Sequence, residues 1–214
     1  MQIYPSMSPL QLGGKQGSAV ALGYFDGIHI GHRAVIGGAV DWARAHGAAA
    51  ALFTFKLPGG SKIKGRRLFS VEDKRRIVAG LGIEHYLVPA FADIMAMTPE
   101  QFVLGLVADC RARAFFCGEN FTFGAKAAGD PALLKKLCAP LGVEVHVLPM
   151  AAFEGRPVSS TRIRAALEGG DIPAVNAMLG TPYAIRFPVQ HGAGLGRTLG
   201  VPTINQIYPE GYQL

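Results

Sequence analysis

Residues 23–32 read GYFDGIHIGH, which sets two imidazoles, His29 and His32, three positions apart just after the pair Asp26-Gly27. The apolar run AVAL precedes them and the amphipathic stretch RAVIGGAVDWARAHG follows. A strand that ends in Asp26-Gly27 and gives way to a helix from about Ile30 aims free backbone N–H groups at the crevice above the sheet edge, and such groups bind anions. At a spacing of three, both histidines project toward one face of the first turn. There imidazole donors can hold a phosphoryl group and stabilise charge as it is transferred. The flanking aromatic residue and the glycines, which permit close backbone approach, serve the same end. Taken alone, an H-x-x-H pair also fits a structural arrangement, one imidazole capping the helix and the other packing on the sheet.

The elements that must position this pair follow from apolar runs alternating with helical patterns, the mark of β-α units around a parallel sheet. Residues 19–25 read as a buried strand, 30–46 as a helix ending at Gly47, and 49–55 as the next strand, joined by one right-handed crossover. The spacing predicts a helix over 70–82, with Ser70 and Asp73 as a loose capping box, then a strand in IEHYLVPAF at 83–91. Thr98, Pro99 and Gln101 open a further helix, followed by the strand AFFCG, the loop 119–130, a helix over 131–142 and a strand over 143–150. Two short helices are expected over 160–171 and 172–182. From Tyr183 the chain turns extended and rich in Gly and Pro, as at the opening of a β domain.

Composition narrows the class. At 214 residues, half of them hydrophobic, the chain can bury a sizeable core, and its 17% charged residues are too few for a dominantly disordered state. The net charge of +6 suits a phosphate-bearing small molecule, a nucleic acid or an anionic surface. Its basic groups, KIKGRR at 62–67, KRR at 74–76 and RPVSSTRIR at 156–164, form no polybasic tail and no aromatic-interleaved stripe, so no nucleic-acid partner is expected. Three cysteines without C-x-x-C spacing read as reduced thiols. With no signal segment and no apolar run of 18, the expectation is a cytoplasmic, soluble protein with no membrane partner; an oligomer is compatible with all of this.

Four segments, in order, resemble one family. GYFDGIHIGH is similar to the G-x-F-D-G-x-H-x-G-H signature of the nucleotidyltransferase superfamily, in the version carried by the bacterial bifunctional riboflavin kinases/FMN adenylyltransferases, or FAD synthetases. GENFTFGAKAAGD at 118–130 resembles the second nucleotide-site loop, VSSTRIR at 158–164 the S-S-T-x-I-R motif, and GAGLGRTLGVPTIN at 192–205 the glycine-rich start and P-T-x-N motif of the kinase module. The resemblance implies an α/β class: a Rossmann-like nucleotidyltransferase fold with a parallel sheet over 1–182, then the start of a riboflavin kinase-like β-barrel over 183–214.

It also implies an activity and its site: transfer of AMP from Mg-ATP to FMN, giving FAD and pyrophosphate. His29, His32 and Arg164 would be catalytic, and Gly23, Phe25, Asp26, Gly31, Ser160 and Thr161 would bind the nucleotide. Asn120, Phe121 and Gly124 would form a flavin or nucleotide loop. Arg164 is preferred to Arg162, which would point elsewhere on a helix. Thr203 and Asn205 would hold Mg2+ through Mg-ATP in a complete kinase module. ATP, FMN and riboflavin are the implied small-molecule partners, with FAD as product.

The chain also departs from the family pattern. Where members carry a Phe-x-Pro-His-Pro segment, it has FKLPGGSKIKG, with Pro58 but no histidine; Lys56, Lys62 and Lys64 would supply charge there or form a solvated face. Phe187 stands where a glycine is usual. About 30 residues beyond 182 are too few to close a barrel, so riboflavin phosphorylation is not expected of this chain. Two other readings compete: a nucleotidyltransferase with another acceptor, and a flavin- or nucleotide-binding protein that has lost catalysis.

Overall fold

The computed structural model describes residues 1–58, 66–207, 211 and 213. Strands β1 (Gln2–Tyr4), β2 (Ser18–Leu22), β3 (Ala49–Phe53), β4 (His85–Leu87), β5 (Ala112–Gly118) and β6 (Glu144–Leu148) form a sheet in the order β1-β4-β3-β2-β5-β6. All of its pairings are parallel. β2, β3 and β4 are buried at every position, as continuous apolar strands must be when both faces are covered. Side chains alternate: Val20 and Leu22 enter one core, Ala19 and Ala21 the other.

Helix α1 (Ile30–Ala45) covers one face through Val35, Ile36, Ala39, Val40 and Ala43, beside Val78 of α2 (Val71–Gly80). Beyond the four-residue α3 (Phe91–Ile94), α4 (Pro99–Cys110) and α5 (Pro131–Cys138) cover the other face with Phe102, Val103, Leu106 and Leu134. From β2 the chain proceeds outward to β3 and β4, then returns to β5 on the opposite side of β2. That reversal opens a crevice at the C-terminal ends of β2 and β5.

A hairpin of β7 (Ala152–Phe153) and β8 (Arg156–Pro157) leads to α6 (Ser160–Glu168) and α7 (Ile172–Leu179). These helices share a third apolar cluster with Leu68. Past residue 182 the described residues form a short antiparallel ribbon of β9 (Val189–Gln190) and β10 (Asn205–Gln206), with α8 (Leu195–Thr198) between them. The barrel opening expected there is not seen as such.

Several boundaries differ from the sequence reading. The strand expected over 19–25 is β2 and stops at Leu22, not at Asp26-Gly27, because Phe25 adopts a left-handed φ of 51° that no strand accommodates. The expected 83–91 strand covers only His85–Leu87, and after Pro89 the chain turns into α3. Pro140, which lacks an N–H, ends the α-helical part of 131–142 at Cys138, leaving a 3-10 turn. At Ser70 the side chain accepts the Asp73 N–H (2.9 Å), but the Asp73 carboxylate turns to arginines rather than to the Ser70 backbone. The box at Thr98 and Gln101 forms in full.

Candidate active site

The link from β2 to α1 is pinned at one carbonyl. Tyr24 O accepts from Thr54 Oγ1 at 2.8 Å and from Lys74 Nζ at 2.7 Å. Immediately after it, Phe25 and, further on, Ile28 take positive φ values of 51° and 41°, costly for residues with a Cβ and sustained here by nearly complete burial. The turn delivers His29 not to the first helical turn but to the N-cap, in extended conformation, where its Nδ1 accepts the His32 N–H at 3.4 Å. The two imidazoles stack at 3.7 Å, and the Phe25 ring meets His32 edge-on at 5.3 Å. Gly31 lies under the stack, where a Cβ would come within 3.3 Å of the His29 ring.

Burial pushes His29 down to about 4, and burial followed by the charges of His29 and Lys74 holds His32 well below its ordinary value. Both are therefore neutral at pH 7. Because Nδ1 of His29 is an acceptor, its proton sits on Nε2, which becomes the ring's donor. His32 Nδ1 is buried without a hydrogen-bond partner among the described residues. No acidic residue occupies the first turn of α1, so its positive end is left for an outside anion.

The N-terminus of α6 supplies the second polar group. Its N-cap is Ser159, which accepts the Arg162 N–H at 3.2 Å, leaving Ser160 and Thr161 in the first turn. The two loops nearly touch: a Cβ on Gly27 would lie 3.1 Å from Ser160 Oγ and 2.9 Å from Leu68. Arg164 forms a largely buried ion pair with Asp26, and its Nε donates to the Arg66 carbonyl at 2.6 Å. Arg162 instead donates to the carbonyls of Phe153 and Arg156 at 2.8 and 2.9 Å, bracing the β7–β8 hairpin. Thr54, Arg66 and Lys74 were not anticipated as parts of this site. Lys74 falls in the KRR run at 74–76 and Arg66 in KIKGRR at 62–67, but such basic runs read equally as a solvated face, and nothing marked Thr54. Burial lowers Lys74 to about 8, against the opposing pull of Asp26.

Gly23 separates this polar corner from a cavity of about 300 Å³. Rings of Phe55, Phe91, Phe121 and Phe123 line it, with Phe55 and Phe91 5.1 Å apart and Phe121 stacked on Phe123 at 5.7 Å. Gly124 forms part of the wall at φ 73°, where a Cβ would strike Pro99 at 2.9 Å. Asn120 is exposed in the turn after β5 and does not line the cavity. Phe55 and Phe91 were read only as strand residues. Lys56 spends its backbone on Pro89 and Phe91, Pro58 is exposed, and Lys62 and Lys64 lie outside the described residues.

Thr203 and Asn205 are exposed on the C-terminal ribbon, facing Gly196 and Gly192, so the glycine-rich turn and the P-T-x-N segment do come together. Phe187 sits on the same ribbon, its carbonyl accepting from Gln206. Among the described residues no group of three or more His, Cys, Asp or Glu side chains can hold a metal ion, and no helix is long and apolar enough to cross a membrane.

Comparison with known proteins agrees with the geometry. The FAD synthetase family model matches residues 13–162 and the riboflavin kinase model residues 179–213. The bifunctional riboflavin kinase/FMN adenylyltransferase of Bacillus subtilis is 34% identical over 88% of this chain and 61% of its own length. That of Escherichia coli K12 is 31% identical over 96% of this chain and 67% of its own. This chain thus spans about three fifths to two thirds of these relatives. A crystal structure from Streptococcus pneumoniae, described as a macrolide-efflux protein, superposes with a TM-score of 0.85 at 26% identity, over 100% of this chain and 71% of that one. With the family model covering well over half of its length, the chain belongs to the FAD synthetase family.

Proposed function

We propose that the chain transfers AMP from Mg-ATP to the phosphate of FMN, forming FAD and releasing pyrophosphate. What carries this reading is the junction at Gly23, where a corner made of two helix N-termini and two neutral imidazoles adjoins an aromatic cavity of about 300 Å³. The first suits polyphosphate, and the second suits a flat apolar ring system.

A phosphate oxygen of FMN attacks the α-phosphorus of ATP as the bond to the β-phosphate oxygen breaks, so no covalent enzyme intermediate is needed. Catalysis then consists of positioning two anions and neutralising charge on the departing pyrophosphate. His29 Nε2–H and the His32 imidazole donate to the phosphates, as neutral groups whose direction is set by the stack. Ser160, Thr161 and the α6 N-terminus take the β- and γ-phosphates, with Arg164 beside them. Gly23, Phe25, Asp26 and Gly31 shape the floor. Phe121 and Gly124 wall the flavin ring, whereas Asn120, exposed and outside the cavity lining, is given no part in it. Mg2+, entering with ATP as Mg-ATP, would offset the charge of the phosphates.

The proposed division is an adenylyltransferase unit over 1–182 and a riboflavin kinase-like piece over 183–214, in which Thr203 and Asn205 would hold Mg-ATP as part of a complete kinase module. The proposed location is the cytoplasm. The test is incubation with FMN, ATP and magnesium, reading FAD by chromatography, with riboflavin in a parallel reaction and His29→Ala as control. FAD formed from FMN and lost in the variant supports the reading. ATP binding without FAD overturns it in favour of a binding protein or another acceptor.

A further inference from the structure

Adjacent residues in the stretch 66–74 reach in opposite directions. Arg66 gives its carbonyl to Arg164 in the polar corner (2.6 Å), whereas Arg67 exchanges backbone hydrogen bonds with the C-terminal segment. The Arg67 N–H donates to the Gly211 carbonyl and its carbonyl accepts the Gln213 N–H, both at 2.8 Å. The Leu68 carbonyl lies 3.2 Å from the Tyr183 hydroxyl, which is 2.9 Å from the Gln213 carbonyl. The pattern recurs on α2. Lys74 holds the Tyr24 carbonyl in front of the left-handed Phe25, while the neighbouring Asp73, its side chain only 5% exposed, binds Arg186 at 3.1 Å and Arg76 at 2.9 Å.

We propose that Arg186 and Tyr183 are positioning residues for the nucleotide corner: by anchoring Asp73 and Leu68 they fix the backbone from which Lys74 and Arg66 hold the Tyr24–Phe25 turn and Arg164. The mechanical link is short. Asp73 and Lys74 share one turn of helix, and Arg66 and Leu68 are two residues apart with the Leu68 side chain fully buried. A charge-assisted contact to a buried carboxylate is strong enough to set the position of a helix end. Releasing it lowers the population in which Arg164 is preset, and nucleotide affinity falls by that fraction. Coupling of this kind is reciprocal, so bound nucleotide must in turn tighten the C-terminal contact.

This inference rests on reading the polar corner as the nucleotide site, and the test separates the two. Arg186→Ala should not unfold the chain, because Arg76 still pairs with Asp73. In the full chain, Arg186→Ala and Tyr183→Phe are expected to weaken Mg-ATP binding, measured directly and as KM, by roughly fivefold or more, with KM for FMN unchanged and partial recovery in Arg186→Lys. Mg-ATP should slow hydrogen exchange at the Arg67 and Gln213 amides of the wild type. Unchanged ATP affinity in Arg186→Ala overturns the proposal, as do equal losses for ATP and FMN, which would mark general loosening. A wild-type chain that binds ATP without making FAD overturns the transfer reading alone, since the affinity and exchange arms still report on the clamp. Failure to bind Mg-ATP overturns both.

Discussion

The polar and apolar halves of the crevice meet at Gly23 and are built in different ways. The polar half takes its phosphate-facing groups from two short continuous segments, 25–32 and 159–164, because a helix N-terminus concentrates donors within a single turn, while Thr54, Arg66 and Lys74 brace them from elsewhere. The apolar half gathers Phe55, Phe91 and the pair Phe121 and Phe123 from three separate stretches, each ring held by packing on another. Donors aimed at one phosphate are few and hard to replace, whereas a wall of rings shares its contribution. Loss of a polar group should therefore be severe and specific to the chemical step, and loss of a ring graded and specific to flavin.

The sharpest way to break this contrast is His32→Ala. Removing one preorganised donor should lower kcat about 10²- to 10³-fold, and a steady-state assay showing an equal loss in FMN affinity would erase the distinction. Next comes Arg164→Ala, which takes a guanidinium from the largely buried Asp26 carboxylate. It should raise KM for ATP and cost roughly 3 kcal/mol of stability, seen as a lower urea midpoint. Phe121→Ala tests the other half: loss of an aromatic stacking worth about 1 kcal/mol beyond its buried area should raise KM for FMN about fivefold to tenfold and leave ATP untouched.

A smaller effect concerns pH. His29 titrates at about 4 in the folded chain against an ordinary 6.5, so between those values the unfolded chain takes up a proton that the folded one refuses. Stability is full above 6.5 and falls as the pH is lowered toward 4. His29→Asn keeps a capping acceptor while removing its titration, and should make Tm fall less steeply with pH across that window, the remaining slope coming from His32, which burial also holds low. The smallest change is expected of Thr54→Val, about 1 kcal/mol, because Lys74 still bonds the Tyr24 carbonyl; a thermal melt reads it.

The same contrast explains what could be read in advance. The N-caps at Ser70 and Thr98 and the helix from Ile30 all depend on residues within a turn of one another, and each is found in the fold. β1 and the β7–β8 hairpin escaped because three- and two-residue strands carry no periodicity. The strand end was misplaced because φ at Phe25 is imposed by burial and by the Tyr24 carbonyl contacts, neither of which is local. The aromatic cavity was invisible for the same reason, apart from Phe121 and Gly124.

By itself, then, the sequence determined the α/β class, the helix starts and the residues poised at them, because hydrophobic period, caps and short motifs act over a few residues. Only the tertiary structure decided that His29 caps α1 and stacks on His32 as a neutral donor. It alone brought Thr54 and Lys74 to the Tyr24 carbonyl and placed the phenylalanine wall beside Gly23. Those outcomes depend on burial and on contacts between segments far apart in the chain, which no local pattern encodes.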